Sequence, residues 1–308
     1  MINRFTIPAW VGPHQFDYAN WQSIASQDKE ILKKGLSRFR VNNPIASIVI
    51  PVWNEEANIL RTLSSFAAMR IPFPTELIFV DNNSTDATAQ ILNELGVRVV
   101  TERKQGIAHA RLAGLKSSRG SYQLCGDGDS LYPPNWIETM LRPLMDDENT
   151  TCVYGNYSFL PYRGTRRWVL GMYELLAEAL FEFRRIKREF LNVRGANFAF
   201  RVRQGLAVKG FEMPVTRMFA NDEGSVTYVV FGEDGRMGRK LGELGALRLI
   251  HSSEARIWTS SRRLLKDGSL LNAFIKRIRK EWYRIFEYLF GSRKVKNTTD
   301  QFETLYQS

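Results

Sequence analysis

The sequence predicts an α/β domain, with a mostly parallel central sheet flanked by helices and a helical tail at the C-terminus. Three observations carry that prediction. From Ala46 to Cys125, short apolar runs alternate with stretches whose apolar residues recur at helical spacing. The runs are apolar without interruption, as strands are when both sheet faces are covered. Polar and acidic residues gather just after the runs, where an open α/β sheet holds its ligand loops.

Residues 1–45 read as an extension, aromatic and proline-bearing, with a short helix around Lys29 to Phe39. Ser47–Pro51 is the first strand, and Glu55 to Ala68 the helix after it. Glu76–Asp81 and Val97–Thr101 are the next strands, followed by helices over Asp86–Leu95 and Ile107–Lys116. Tyr122–Cys125 is a fourth strand. Beyond Pro133 the pattern mixes: helix over Trp136–Met145, strand over Cys152–Phe159, and a long amphipathic helix over Trp168–Phe190. Gly195–Phe200 and Ala246–Ile250 have strand character, and Glu233–Leu244 reads as a helix. This divides the chain into an extension (1–45), a central domain (46–250) and a basic amphipathic tail (251–308). The central domain splits further into 46–130 and 131–250. Neither an internal repeat nor a low-complexity tract is present.

With 308 residues, 44% of them apolar and 12% aromatic, the chain has enough material for a buried core and is not a disordered polymer. Its two cysteines, Cys125 and Cys152, fit neither a disulfide framework nor a metal-ligand spacing, and Cys125 reads as core rather than nucleophile. A reducing cytoplasmic setting is expected, with no secretory leader at the N-terminus and no apolar run long enough to span a bilayer. A net charge of +11 calls for an anionic partner. The positive charge is concentrated from Arg262 to Lys296, where basic residues mix with Trp282, Tyr283 and aliphatic residues at helical spacing. Such a helix either packs on the domain or lies on an anionic membrane surface.

The chemistry-bearing residues stand at the expected strand ends. Asp127-Gly128-Asp129 closes the run Ser121–Cys125. Residues two apart in an extended segment face the same side, so both carboxylates can address one point, and the glycine lets a ligand approach the backbone. Two hard oxygen donors suit magnesium or manganese, which take their remaining ligands from phosphates. Alone, the triplet is a weak signal and reads more simply as an acidic turn. Pro51-Val-Trp-Asn54-Glu55-Glu56 leaves the first strand, and its acids are also simple candidates for helix capping. Asp81 follows Leu-Ile-Phe-Val at the second strand end, where a carboxylate can accept hydrogen bonds from a ribose or base. Glu233-Asp234, taken as a bare pair, reads as acids in a first helical turn.

Taken together, these pieces resemble family-2 glycosyltransferases of the GT-A fold. The resemblance rests on Ser47–Glu56, Ile78–Asp86, Gly106 with Ala110-Arg111, Asp127 and Asp129, Gly195-Ala-Asn197, Gly232-Glu233-Asp234 and Thr259–Arg263, and covers roughly Ala46 to Arg263. It implies that Asn54, Glu55 and Asp81 contact the base and ribose of a nucleotide-sugar, in a site that also includes Pro51, Asn83, Gly106, Gly128 and Asn197. Asp127 is expected at the ribose or donor sugar, and Asp129 at a divalent cation, manganese or magnesium, on the donor diphosphate. Lys104 or Arg111 is expected to approach phosphate or support the loop. Asp234, with Glu233 beside it, becomes the general base of an inverting transfer, since a sugar hydroxyl is a poor nucleophile near neutral pH.

A base is superfluous for a phosphate nucleophile, so Asp234 favours a hydroxyl acceptor, expected on a growing or lipid-linked glycan. Processive members of this family carry a glutamine-and-arginine-tryptophan motif; here Arg256-Ile-Trp258 and Ser260–Arg263 stand instead, which favours a single addition. His251 follows an apolar strand and is a candidate additional metal ligand, although a lone histidine at a strand end is more often structural. Two other readings are a sugar nucleotidyltransferase, which usually has a glycine-rich basic loop where Trp53-Asn-Glu-Glu56 is acidic, and a non-enzymatic nucleic-acid or anionic-surface binder. The latter leaves the acidic loops unexplained, and no nucleic-acid partner is expected.

Overall fold

In the computed structural model, which describes residues 4–213 apart from 163 and 187, residues 232–265 and residue 275, the first strand is buried along its whole length. That strand, β1 (Ala46–Val52), lies between β2 (Thr75–Asp81) and β4 (Tyr122–Cys125), parallel to both. β3 (Arg98–Thr101) extends the parallel set beyond β2. On the other side come β8 (Phe198–Arg201), β6 (Thr150–Gly155) and β9 (Ala246–Ile250), giving the order β3-β2-β1-β4-β8-β6-β9. β8 alone runs against the others. A small sheet, β5 (Ser130–Leu131), β10 (Ile257–Ser260) and β7 (Tyr157–Leu160), completes the described strands.

Side chains alternate across the large sheet. Ile48, Ile50, Leu77, Phe79, Leu124 and Val153 face the core shared with α1 (Ser26–Ser37), α2 (Glu56–Ala67), α3 (Thr88–Glu94) and α5 (Trp136–Asp146). Val49, Ile78, Val80, Cys125, Tyr154, Phe198 and Phe200 face the other way. There they meet α4 (Ile107–Ser117), α7 (Val202–Val208) and α8 (Glu233–Gly242). α4 lies close because Gly114 faces the sheet: a Cβ there would stand 2.3 Å from Val49 Cγ1. α6 (Arg167–Arg185) packs over β7.

The extension is tied to this body. Val11 packs with Leu131 and Trp258, His14 Nδ1 lies 2.9 Å from Ser64 Oγ, and Trp21 Nε1 donates to Glu94 Oε2 at 2.5 Å. The chain divides into two compact units, Met1–Ser260 and Ser261–Ser308. Of the second, the short helix Arg262–Leu265 is described. The apolar run Val226–Phe231 and the basic helix expected beyond Leu265, residue 275 apart, lie outside the described residues. Among the described residues no helix is long and apolar enough to cross a membrane.

Three expectations need correction. The run Cys152–Phe159 is two strands, broken at Asn156, whose carbonyl accepts from Asn197 Nδ2 and from the Ile257 N–H as the chain passes to the small sheet. Gly195-Ala-Asn197 is a turn, and β8 starts only at Phe198. The long helix stops at Arg185 instead of Phe190, with Asn192 Nδ2 donating to the carbonyl of Phe181 and a 3-10 turn over Glu189–Asn192.

Glu76 knots the edge of the sheet opposite these strand ends. Its buried carboxylate accepts from Ser47 Oγ (2.7 Å), Arg98 Nη1 (2.6 Å), and the N–H and Nε of Arg119 (2.8 and 2.9 Å). Burial alone pushes its pKa up; the Ser47 hydroxyl, the Arg119 donors and Arg98 more than reverse this and hold it below the ordinary glutamate range. A depressed folded pKa contributes stability above the unfolded value, ~4.3, and that contribution is lost as pH falls through the folded pKa. E76Q should therefore be about 2 kcal/mol less stable at pH 7 in urea titrations, with the gap to the parent narrowing below pH ~4.3. Equal stability at pH 7 would show that these contacts contribute nothing net.

Candidate functional site at the carboxyl ends of the strands

β1 and β2 end side by side, with Val52 in register with Asp81. Their loops are laced together. Asn54 takes a left-handed φ of 51°, donates its N–H to Ser84 Oγ (3.1 Å) and accepts the Thr85 N–H on Oδ1 (2.8 Å). Glu55 is buried, donates its N–H to Thr88 Oγ1 (2.9 Å) and accepts from Asn58 Nδ2 (2.9 Å). Asp81 is 7% exposed and accepts the Ser84 N–H on Oδ1 at 3.3 Å. Pro51 is buried in β1 beyond the last β4 pairing at Val49, so its missing N–H breaks no ladder on that side.

Two asparagines bind the next loop to this corner. Asn82 donates Nδ2 to the carbonyls of Glu102 (2.7 Å) and Lys104 (2.9 Å) and accepts the Gly106 N–H on Oδ1 (2.7 Å). Gly106 has a φ of 135°, which side-chain-bearing residues rarely adopt. Asn83, at φ 63°, donates to the carbonyl of Arg103 and to Gln105 Oε1. Asn83 thus shapes the loop, and the more buried Asn82, not singled out in the sequence, does more of that work.

The acidic triplet rests on the end of β1. A Cβ at Gly128 would stand 2.8 Å from Val52 Cγ1 and 3.6 Å from Glu55 Cγ, so only glycine lets the loop sit this low. Thr62 Oγ1 donates to the Gly128 carbonyl at 2.9 Å. Tyr132, fully buried and stacked on Phe66 at 4.7 Å, fixes the backbone of Asp127: its hydroxyl accepts the Asp127 N–H (2.7 Å) and donates to the Asp127 carbonyl (3.1 Å). Asp129 accepts the Ser260 N–H on its carbonyl and Thr259 Oγ1 on Oδ1, which joins the triplet to β10. Tyr132 was not predicted. Its spacing of five from Asp127 carries no periodic signal.

Arg111 connects this donor-side corner to α8. Its guanidinium is 3% exposed, donates Nη2 to Asp127 Oδ1 at 2.8 Å and brings Nε to 3.6 Å from Glu233 Oε1. Burial opposes its charge, but Asp127, then the Cys125 thiol, Glu233 and Asp234, more than reverse this and raise its pKa. Gly195 makes room for it, since a Cβ there would lie 2.1 Å from Nη2. The Gly195 N–H donates to Asp234 Oδ2 at 3.0 Å, and Asp234 Oδ1 accepts the N–H of Gly235 at 2.7 Å. Arg111, Asp127, Gly195, Glu233 and Asp234 therefore form one cluster, continuous through Gly128 and Val52 with Asp81.

Other predicted residues stand apart. Asn197 is fully buried and spends both amide hydrogens on the carbonyls of Asn156 (2.8 Å) and Ala255 (2.7 Å) while accepting from Trp136 Nε1 (2.9 Å). It supports the rim from below and has no amide hydrogen left for a ligand. Lys104 is exposed beyond Asn82, its N–H donated to Glu102 Oε1. His251 turns to Glu182, Nε2 lying 3.6 Å from Oε1, and among the described residues no group of three His, Cys, Asp or Glu could hold a metal. His251 thus has a carboxylate neighbour of its own, in keeping with the structural alternative. Cys125 and Cys152 are buried and unpaired, and burial pushes the Cys125 thiol up to about 11, which rules out a ready nucleophile. Hollows of about 400 Å³ beside Phe190 and Leu247, and of about 300 Å³ beside Arg40 and Glu76, are lined by none of the rim acids. Chemistry, not volume, locates the site.

The model of the family described as glycosyl transferase family 2 matches residues 47–208, more than half of the chain. The dolichol-phosphate mannosyltransferase of Saccharomyces cerevisiae is 32% identical over 109 residues, which cover 32% of this chain and 41% of that protein. Glycosyltransferase AglE of Haloferax volcanii is 30% identical over 130 residues, covering 40% and 42%. The chain spans about half or less of the length of such relatives. Among solved structures, S. aureus TarS 1-349 superposes with a TM-score of 0.50 at 17% identity, over 81% of this chain and 76% of that one, and this likeness speaks to the fold. The architecture is the GT-A type that the sequence motifs imply. On the family match, supported by the motif loops at the rim, the chain belongs to glycosyl transferase family 2.

Proposed function

We propose that the protein transfers one sugar, with inversion, from a nucleotide-diphosphate sugar to a hydroxyl of a glycan or lipid-linked acceptor. The observation that carries this reading is the cluster in which Arg111 joins Asp127 to Glu233 and Asp234, on the same rim as Asp81. In this assignment residues 46–130 hold the nucleotide and 131–250 the acceptor. Asp81 and the Asn54–Glu55 loop receive the base and ribose, and Asp127 turns its remaining oxygen toward the donor. The basic stretch beyond Arg262, read from the sequence, suits an anionic membrane surface on which a lipid-linked acceptor would sit.

Asp127 and Asp129 offer two hard carboxylate donors with no third His, Cys, Asp or Glu grouped with them among the described residues. That set fits magnesium or manganese, which accept few protein carboxylates and complete their shell with phosphate oxygens. Bound there, such a cation supplies positive charge against the departing diphosphate. Asp234 stands in the first turn of α8, oriented by the N–H groups of Gly195 and Gly235. It takes the proton of the acceptor hydroxyl while the acceptor oxygen bonds the anomeric carbon and the bond from that carbon to the diphosphate oxygen breaks. Glu233, facing Arg111, stays out of the proton transfer and keeps the cluster charge-balanced.

D234N should retain nucleotide-sugar affinity and lose transfer by about 10²–10⁴-fold, read as initial rates beside donor titrations; near-parental turnover would remove Asp234 from the role of base. In thermal-shift screens of nucleotide-sugars, stabilisation should depend on added manganese or magnesium, and D129N should erase the metal-dependent part. A shift of equal size in EDTA would contradict the metal assignment.

A further inference from the structure

Arg194, beside the turn that holds Asp234, has no carboxylate partner among the described residues. Arg194 immediately precedes Gly195, whose N–H binds Asp234 Oδ2 at 3.0 Å. Its Cα is about 2.4 Å from that nitrogen by peptide geometry, so the side chain springs from beside the base. The guanidinium rests on two aromatic faces, 5.8 Å from the Tyr157 ring and 5.5 Å from that of Phe181, and its Nε is buried without an acceptor. Two other buried arginines nearby do have carboxylate partners: Arg167 meets Glu174 at 2.6 Å and Arg256 meets Glu178 at 2.6 Å. A half-buried cation held only by ring faces is incompletely compensated, and an anion completes it.

We infer that the acceptor carries, besides the hydroxyl that receives the sugar, an anionic group that Arg194 binds. This deepens the proposed transfer and rests on Asp234 being its base. Hydroxyl and anion are then separate parts of one acceptor: the hydroxyl faces the carboxylate of Asp234, and the anion faces the guanidinium held on Tyr157 and Phe181. Phosphate and carboxylate share the required chemistry, and guanidinium pairs with both in a fork.

Calorimetric titration with inorganic phosphate, and separately with acetate, into the full chain preloaded with UDP or GDP and manganese tests this. Phosphate should bind the parent, and R194Q should weaken it at least tenfold. R194K should recover part of that loss, while R142Q, in an exposed pair with Glu138 on α5, should leave it unchanged. Acetate bound as tightly as phosphate assigns a carboxylate-bearing acceptor, and phosphate alone a phosphorylated one; both support the inference. Phosphate that does not bind the parent, or binds R194Q equally while its thermal midpoint is unchanged, overturns it. Failure of the nucleotides to bind instead counts against the donor reading, and phosphate titrated without nucleotide then still distinguishes the parent from R194Q.

Discussion

The ion pair between Arg111 and Asp127, 2.8 Å long and almost closed to solvent on the arginine side, is the contact on which the rim depends. A buried guanidinium is costly unless carboxylates surround it, and removing one partner of such a pair typically costs about 3–5 kcal/mol. Here the carboxylates come from two places distant in sequence, the loop after β4 and the first turn of α8. The same cation packs against Gly195, whose N–H orients Asp234. Nothing larger than glycine fits between them. One charge thus sets the spacing between the donor-side acid and the proposed base.

The parallel sheet makes this possible. β1, β2, β3 and β4 all end on one edge, and the reversed strand β8 begins there, so that five segments deliver loops to a single rim. Buried hydrogen bonds then fix those loops at the backbone: Tyr132 under Asp127, Asn82 under Gly106, Asn197 under the turn between β6 and β7. The acids that face outward are carried on loops that these buried hydrogen bonds hold in place.

Residues 46–125 were legible because β1, β2 and β4 carry apolar runs and α2, between the first two, is amphipathic. The acids at strand ends were legible for the same reason, since a carboxylate following Leu-Ile-Phe-Val has no core role. What the sequence hid was pairing. The break at Asn156, the reversal of β8 and the short strands β5 and β10 depend on partners up to about 130 residues away, with no local signature. Val202–Val208, read as no element, is a helix whose Gly205 packs on Phe200. Arg111 was visible as a candidate, but its division between Asp127 and Glu233 was not, because it requires α8 to return to α4. Tyr132 and Asn82 were missed because ordinary buried polar residues leave no pattern.

In this account Asp127 and Glu233 do not touch, and each answers to the other through Arg111. The most direct measurement is a double-mutant cycle of D127N and E233Q on transfer rates. The account predicts that the double variant departs from the product of the single effects by at least tenfold, about 1.4 kcal/mol of coupling. Effects that multiply independently would contradict it, and would leave donor-side acid and base as neighbours without connection.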